Sequence, residues 1–444
     1  ISFLNHFILK RGIKDVVAKI ELRCSNGKLK KTFDLKLKKK SVYSLRLSDY
    51  LKSNFIGSVY IFFKSKENLF IPFCAVVGSV IAKNSVCAVH TYARRLEQKE
   101  IGTNIDIKNT IESCWTIRDT SNIKSFAILH GGKFNLSLSI RLQCTNSEGE
   151  TISKSKKINL PKYGTFALVP QDFFQNIIIE HLRGKKGQAK VIVKGLRGVF
   201  PRMCVGNFSF DNNQFNNILN ANEIQYTHSN FDYSVSSIIK QPDSEVKFGY
   251  CNQPSIPNGY AMAYAVETKK KIFINNKKYK SNTLHKINIK PMSQIKVISK
   301  KGNLPARFNL ALVTKWKNAT LESEMSNGVC MGDAAKVKHH WSWGLLKPRS
   351  EEGDNEISIM FNDFNQRKKL PRKLKLRIYD EKSLITENNI FYNGNKVIKI
   401  KDVLSSKKTS GTLWYVLTGD NMEDLQVFST FYPISKAGFV EHAF

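Results

Sequence analysis

The stretch IELRCSNGK, Ile20 to Lys28, returns as IRLQCTNSEG, Ile140 to Gly149, with the same alternating strand, single cysteine and polar turn. A chain that repeats a supersecondary unit must bury the same hydrophobic face once per copy, so this repeat constrains the fold more than composition does. Setting Cys24 against Cys144 aligns the downstream segments as well. YSLRLSDYL (43–51) falls on FALVPQDFF (166–174), GSVYIFF (57–63) on GQAKVIV (187–193), and IPFC (71–74) on FPRMC (200–204). The last quarter keeps the order with LKLRIYDEKSL (374–384), VIKIKDVL (397–404) and GTLWYVL (411–417). The third quarter diverges most, with AMAYAV (261–266), HKINIKP (285–291) and RFNLALV (307–313). It lacks the aspartate that Asp49, Asp172 and Asp402 supply in the others.

Inside each copy the hydrophobic period is two, as in LSLSIRLQC (136–144) and KVIVKGL (190–196), and SNGK, NSEGE and NGN mark turns. The second copy yields seven strand candidates and one short helix over QDFFQNIIIEHL (171–182), where Asp172 is placed to cap the first turn. The fold expected is all-β: a tandem array of four related antiparallel β-sandwiches, broadly Ig-like, with a short helix in at least the second. The units expected are 1–96, 112–234, 246–346 and 356–444, joined by polar tracts at 94–109, 234–245 and 347–356. The chain opens at Ile1 without a methionine and closes on GFVEHAF, so both ends read as cut and the first unit as missing its start. A signal peptide and a compartment are therefore not assigned. The longest apolar run, LFIPFCAVVGSVIA (69–82), is broken by Pro72 and Gly78 and is too short to span a bilayer.

Charge admits two readings. Lys and Arg number 70 against 36 Asp and Glu, a formal +34. Such an excess favours nucleic acid, acidic polysaccharide or an anionic surface. It also fits lysine-rich solvent faces of strands such as FDLKLKKK in a lysine-, asparagine- and isoleucine-rich chain.

Eight cysteines occur without a CxxC pair, which argues against a zinc ribbon or a thioredoxin-type site. Cys24 with Cys74, and Cys144 with Cys204, each join an early to a late strand of one copy. They read either as inter-sheet disulfides or, with greater weight, as small buried core thiols. Each copy also ends on a histidine: CAVHTYA at His90, IQYTHSNF at His228, KVKHHWSW at His340 and GFVEHAF at His442. An aromatic follows closely (Tyr92, Phe231, Trp341 and Trp343, Phe444), and such pairs line ligand surfaces by stacking and hydrogen bonding. The plainer reading is a histidine that finishes the last strand. His339 and His340 are neighbours, so on a strand they point to opposite faces.

A phosphate loop, HExxH, GxSxG and a Ser/His/Asp arrangement are all absent from the sequence, and HGGK (130–133) reads as a turn. No catalytic residue, metal ligand or cofactor is assigned. The function expected is a non-enzymatic binding or assembly protein presenting surfaces to glycans or protein partners. The rivals are a histidine- or metal-dependent enzyme assembled between copies, marked by convergence of the four imidazoles, and a nonspecific polyanion binder.

Overall fold

A computed structural model describes residues 1–443, except 52–53, 68, 70–75, 91–93, 104–105, 107–109, 201–202, 212–220, 229, 232–237, 240–244, 249–259, 265–271, 275–276, 281–282, 289–291, 293–294, 300–303, 306–309, 318, 327–339, 362–371, 421 and 423–424. The second copy carries eight principal strands in chain order: Thr110–Ile117, Ile123–His130, Leu136–Thr145, Thr151–Leu160, Thr165–Leu168, Gly187–Lys194, Cys204–Ser209 and Glu223–His228. Counted by position, strands four, three, six and one form one antiparallel sheet, and five, two, seven and eight form the other. Leu138, Ile140 and Leu142, every second residue of the third strand, meet Ala127, Leu129 and Val205 from the opposite sheet in one buried core. The period of two read from the sequence is thus the inward face of a sandwich.

The same strand order recurs. In the fourth copy the strands are Trp341–Lys347, Gly353–Phe361, Arg372–Tyr379, Leu384–Tyr392, Lys396–Lys399, Leu413–Thr418, Leu425–Pro433 and Phe439–His442, again paired as one-six-three-four and five-two-seven-eight. The third copy, from Glu245–Phe248 to Ser323–Ser326, repeats both sheets. The first copy supplies strands two to eight, from Ser2–Leu4 to Val86–His90, as sheets four-three-six and five-two-seven-eight. The all-β architecture expected from the repeat is present. Its order departs from the immunoglobulin pattern, because the seventh strand pairs with the second and not with the sixth.

Local expectations are corrected at three points. The helix over 171–182 is two short turns, Pro170–Phe174 and Ile177–Leu182, separated by Gln175 at φ 56°. Asp172 lies inside the first turn and caps nothing; Val169 holds the cap position without a side-chain bond, and Asp402 sits likewise inside Ile400–Leu404. A carboxylate there still meets the positive end of the turn. Finally, WSWGLLK (341–347) does not close the third copy: it pairs with Leu413–Thr418 and opens the fourth. The tract 347–356 is accordingly the turn between the first two strands of that copy and the start of the second, not a connection between copies.

Contacts among the copies close a ring. The first and fourth share a core in which Leu4, Val42 and Val77 meet Leu345, Trp414 and Val416. The Trp414 indole Nε1 donates to Ser2 Oγ at 3.1 Å, and the Val42 amide to the Asp380 carbonyl at 3.0 Å. The first and second join through Ser58 Oγ and His130 Nδ1, 2.8 Å apart, and through Tyr60, whose hydroxyl donates to the Gly131 carbonyl. The second and third join through Lys186, which pairs with Glu322 and Glu324. The third and fourth meet where Trp316 stands edge-on to Tyr432. At the middle, turns leading into the eighth strands hydrogen-bond across copies. Asn84 donates to Asn222 and accepts from Ala437, and the Glu223 carboxylate takes the amides of Thr320 and Leu321.

Candidate functional site

Three of the four histidines singled out in the sequence finish an eighth strand in matching register. His90 lies opposite Val77, His228 opposite Cys204 and His442 opposite Phe428, and those partners in turn lie opposite Ser2, Ile128 and Ser358 of the second strands. The repeat therefore places one imidazole per copy at the same end of the same strand, in three copies. His340 is not a member. It precedes the first strand of the fourth copy, is exposed, and has Nδ1 4.0 Å from Asp420. His339, Tyr92, Cys74 and Phe444 lie outside the described residues. Phe231 sits in the two-residue strand Asn230–Phe231 paired with Ser113, and His228 closes its strand; their side chains also lie outside the described set.

The ring closure brings two of these histidines together. His90 and His442 stand edge to face with centroids 4.8 Å apart. His90 Nδ1 is 2.6 Å from a carboxylate oxygen of Glu441, and His90 and Glu441 are 6% and 2% exposed, while His442 is half-buried. A contact that short between a ring nitrogen and a carboxyl oxygen holds a proton. Burial pushes the Glu441 carboxyl up to about 7, opposed by the neighbouring His442. His442 Nδ1 faces the Ala443 carbonyl at 3.0 Å. Sequence reasoning missed Glu441, although its signal was legible: of the four endings only GFVEHAF sets a carboxylate beside the histidine.

Trp341 and Trp343 are half-buried against the core shared by the first and fourth copies. Lys10 lies over both rings, 5.8 and 5.3 Å from their centroids, and the buried His6 stacks on Trp343 at 5.9 Å. Burial holds the His6 imidazole down to about 4, so it packs there neutral.

Of the two readings of the cysteines, the disulfide is not formed between Cys144 and Cys204; Cys24, Cys144 and Cys204 are free thiols. The reason is the pleat. Met203 and Val205 point into the second copy's core with Cys144, so Cys204 between them points outward, toward Cys87 of the first copy. Burial raises the thiols of Cys144 and Cys204 well above the usual range, which leaves them inert.

A second constellation, on the surface where the first two copies meet, has no motif in the sequence to announce it. Tyr163, in the turn PKYG at φ 58°, is flanked by three cations: Arg23 at 4.2 Å, Lys162 at 5.4 Å and Arg95 at 6.0 Å from its ring centroid. A bulky residue in the left-handed region costs on the order of 1 kcal/mol or more. Here it is held by the hydrogen bond that its backbone N–H donates to the Gly132 carbonyl. Arg95 also covers Phe62 at 4.5 Å, and Lys133 and Arg197 flank Phe134 at 5.4 and 5.6 Å. Arg23 pairs with Glu21 and Arg197 with Asp106, whereas Arg95, Lys133 and Lys162 pair with no carboxylate among the described residues. The residues come from six separate segments, so only the fold assembles them.

No family model matches the chain, and no curated protein matches its sequence. Among solved structures the chain is similar to the apo form of a Pleurotus ostreatus lectin, at 8% identity over 83% of this chain and 84% of that one, with a TM-score of 0.15. It is also similar to a Clostridium perfringens ZmpB structure comprising the M60 catalytic domain with the CBM51-1 and CBM51-2 domains, at 8% identity over 88% of this chain, with a TM-score of 0.13. The match spans 41% of that second structure's length. No helix among the described residues is long and apolar enough to cross a membrane.

Proposed function

We propose that this chain is a non-enzymatic binding protein whose ligand is an acidic glycan, held on the surface where the first two copies meet. The observation that carries the reading is the set of cations arrayed over Tyr163, Phe62 and Phe134. A guanidinium fork such as that of Arg95 matches a carboxylate or sulfate bidentately, and the ring edges offer apolar sides for a sugar. Nucleic acid fits less well, because single strands bind by stacking bases on aromatic faces. The faces beneath Arg23 and Arg95 are already taken by guanidinium groups. The exposed lysines of the fourth strands (Lys30 and Lys31, Lys154, Lys156 and Lys157, Lys277 and Lys278) add a positive field that steers an anion inward. They also oppose edge-to-edge pairing of these strands, which speaks against self-assembly through them.

Heparin, as a sulfated glycan probe, tests the reading. Affinity should fall steeply with added salt. Arg95→Ala with Lys162→Ala should weaken binding about tenfold or more, while Lys154→Ala with Lys156→Ala should change it by less than about threefold. Equal losses in both pairs, or binding indifferent to salt, would refute the site. Tighter binding of a single-stranded DNA of equal charge would move the ligand class to nucleic acid.

A further inference from the structure

We propose that His90, Glu441 and His442 form a three-ligand site for a divalent transition ion of the zinc class, clasping the first copy to the fourth. One donor atom from each of the three side chains lies within 4.8 Å of the other two. Donors around a zinc ion bonded at about 2.0–2.2 Å stand roughly 3.3 Å apart, so the widest separation must close by about 1.5 Å. His90 Nδ1 and Glu441, 2.6 Å apart, must release the proton they share to solvent and open by about 0.7 Å, and both movements are within the reach of side-chain rotation. Two imidazoles and a carboxylate are the donor set that suits zinc and its neighbours in preference to calcium or magnesium, which take oxygen.

The tautomer of His442 agrees with this role. Its Nδ1 lies 3.0 Å from the Ala443 carbonyl, which only accepts, so in the neutral ring Nδ1 carries the hydrogen and Nε2 the lone pair. Metal-bound histidines are oriented in this way by a carbonyl or carboxylate behind them. The Glu441 carboxylate brings the negative charge that a buried dication requires. His90 and Glu441 are shielded, and the half-buried His442 gives the ion its way in. Three protein ligands leave a fourth position open for water or a partner group.

Two features of the fold make the placement consequential. His90 and Glu441 are 351 residues apart in the chain, so an ion between them ties the ring where its first and last copies meet. The matching register of His90 and His442 shows that the repeat delivered both imidazoles to the hub, while the carboxylate is particular to the fourth copy.

The test uses the full chain, freed of metal by chelation and titrated with Zn²⁺ by calorimetry and with Co²⁺ by its visible absorption. One ion per chain should bind, and the thermal midpoint should rise by about 3 °C at a hundredfold excess of Zn²⁺ over its dissociation constant. Because His90→Ala removes a buried side chain and risks unfolding, the decisive variants are His442→Ala, at a half-buried position, and the isosteric Glu441→Gln. Each should fold and lose roughly tenfold to a hundredfold in affinity, with the metal-dependent rise abolished in His442→Ala. No stoichiometric binding to the wild-type chain would overturn the proposal. So would affinities within about threefold of wild type in both variants, since the ion would then be held elsewhere.

Discussion

Trp414→Ala probes whether the first and fourth copies stand or fall together. Trp414 is fully buried, lies opposite both Leu345 and Tyr379, and fills the core that reaches across to Leu4, Val42 and Val77. A tryptophan buries about 150–250 Å², which at about 25 cal/mol per Å² amounts to roughly 4–6 kcal/mol. Its indole also donates to Ser2, and losing that bond adds about 1 kcal/mol. Partial collapse of the cavity returns some of this, and truncations of this kind cost about 3–5 kcal/mol. We therefore expect about 4 kcal/mol of destabilisation, read by urea unfolding and by native-state hydrogen exchange. The exchange data are decisive: amides of Ser2–Leu4 and Val42–Ser44 should lose protection along with those of Leu413–Thr418. A loss below about 1 kcal/mol, or unchanged protection in the first copy, would show that the shared core does not couple the two.

Single residues elsewhere give further tests. Asp119 is fully buried and burial pushes its carboxyl up to about 7, so the folded state binds its proton more tightly than the unfolded chain does, and stability falls as pH rises from about 4 to 7. Asp119→Asn should flatten that slope in denaturation measured at pH 5 and pH 8, and an undiminished slope would assign it to other groups. Lys186→Met removes the cation that faces Glu322 and Glu324, leaving the half-buried Glu324 without it, and should cost about 2–4 kcal/mol at neutral pH. Part of that loss should recover in acid, where Glu324 takes up a proton; a pH-independent loss would contradict the assignment. At Gly206 a Cβ would come within 2.2 Å of the Gln225 carbonyl oxygen, so Gly206→Ala should lower stability by about 1–3 kcal/mol, and a neutral result would show that the paired strands yield there.

The sandwich was legible because a period of two in short runs, broken by polar turns, has few other solutions, and because one copy could be checked against another. The histidines at the strand ends were legible for the same reason. What the sequence hid was identity and direction. WSWGLLK alternates as well at the start of a sandwich as at the end of one, so His340 reads with endings to which it does not belong. Spacing along the chain puts Cys144 and Cys204 on facing sheets but says nothing of the pleat that turns Cys204 outward. The cations around Tyr163 and the meeting of His90 with Glu441 are contacts between copies, and the alternation within a copy carries no trace of them.

The shared core has a consequence for the order of events at the ribosome. Ser2 and Trp414 are separated by 412 residues, and a ribosome adding about 5–20 residues per second needs roughly 20–80 s to cover that distance. Sandwiches fold in about milliseconds to seconds, so the first copy finishes its own two sheets long before its neighbour exists. Throughout that interval Leu4, Val42, Val77 and Val86 face water as an uncovered apolar sheet. The nascent chain is therefore exposed to misassociation at this face until ring closure covers it.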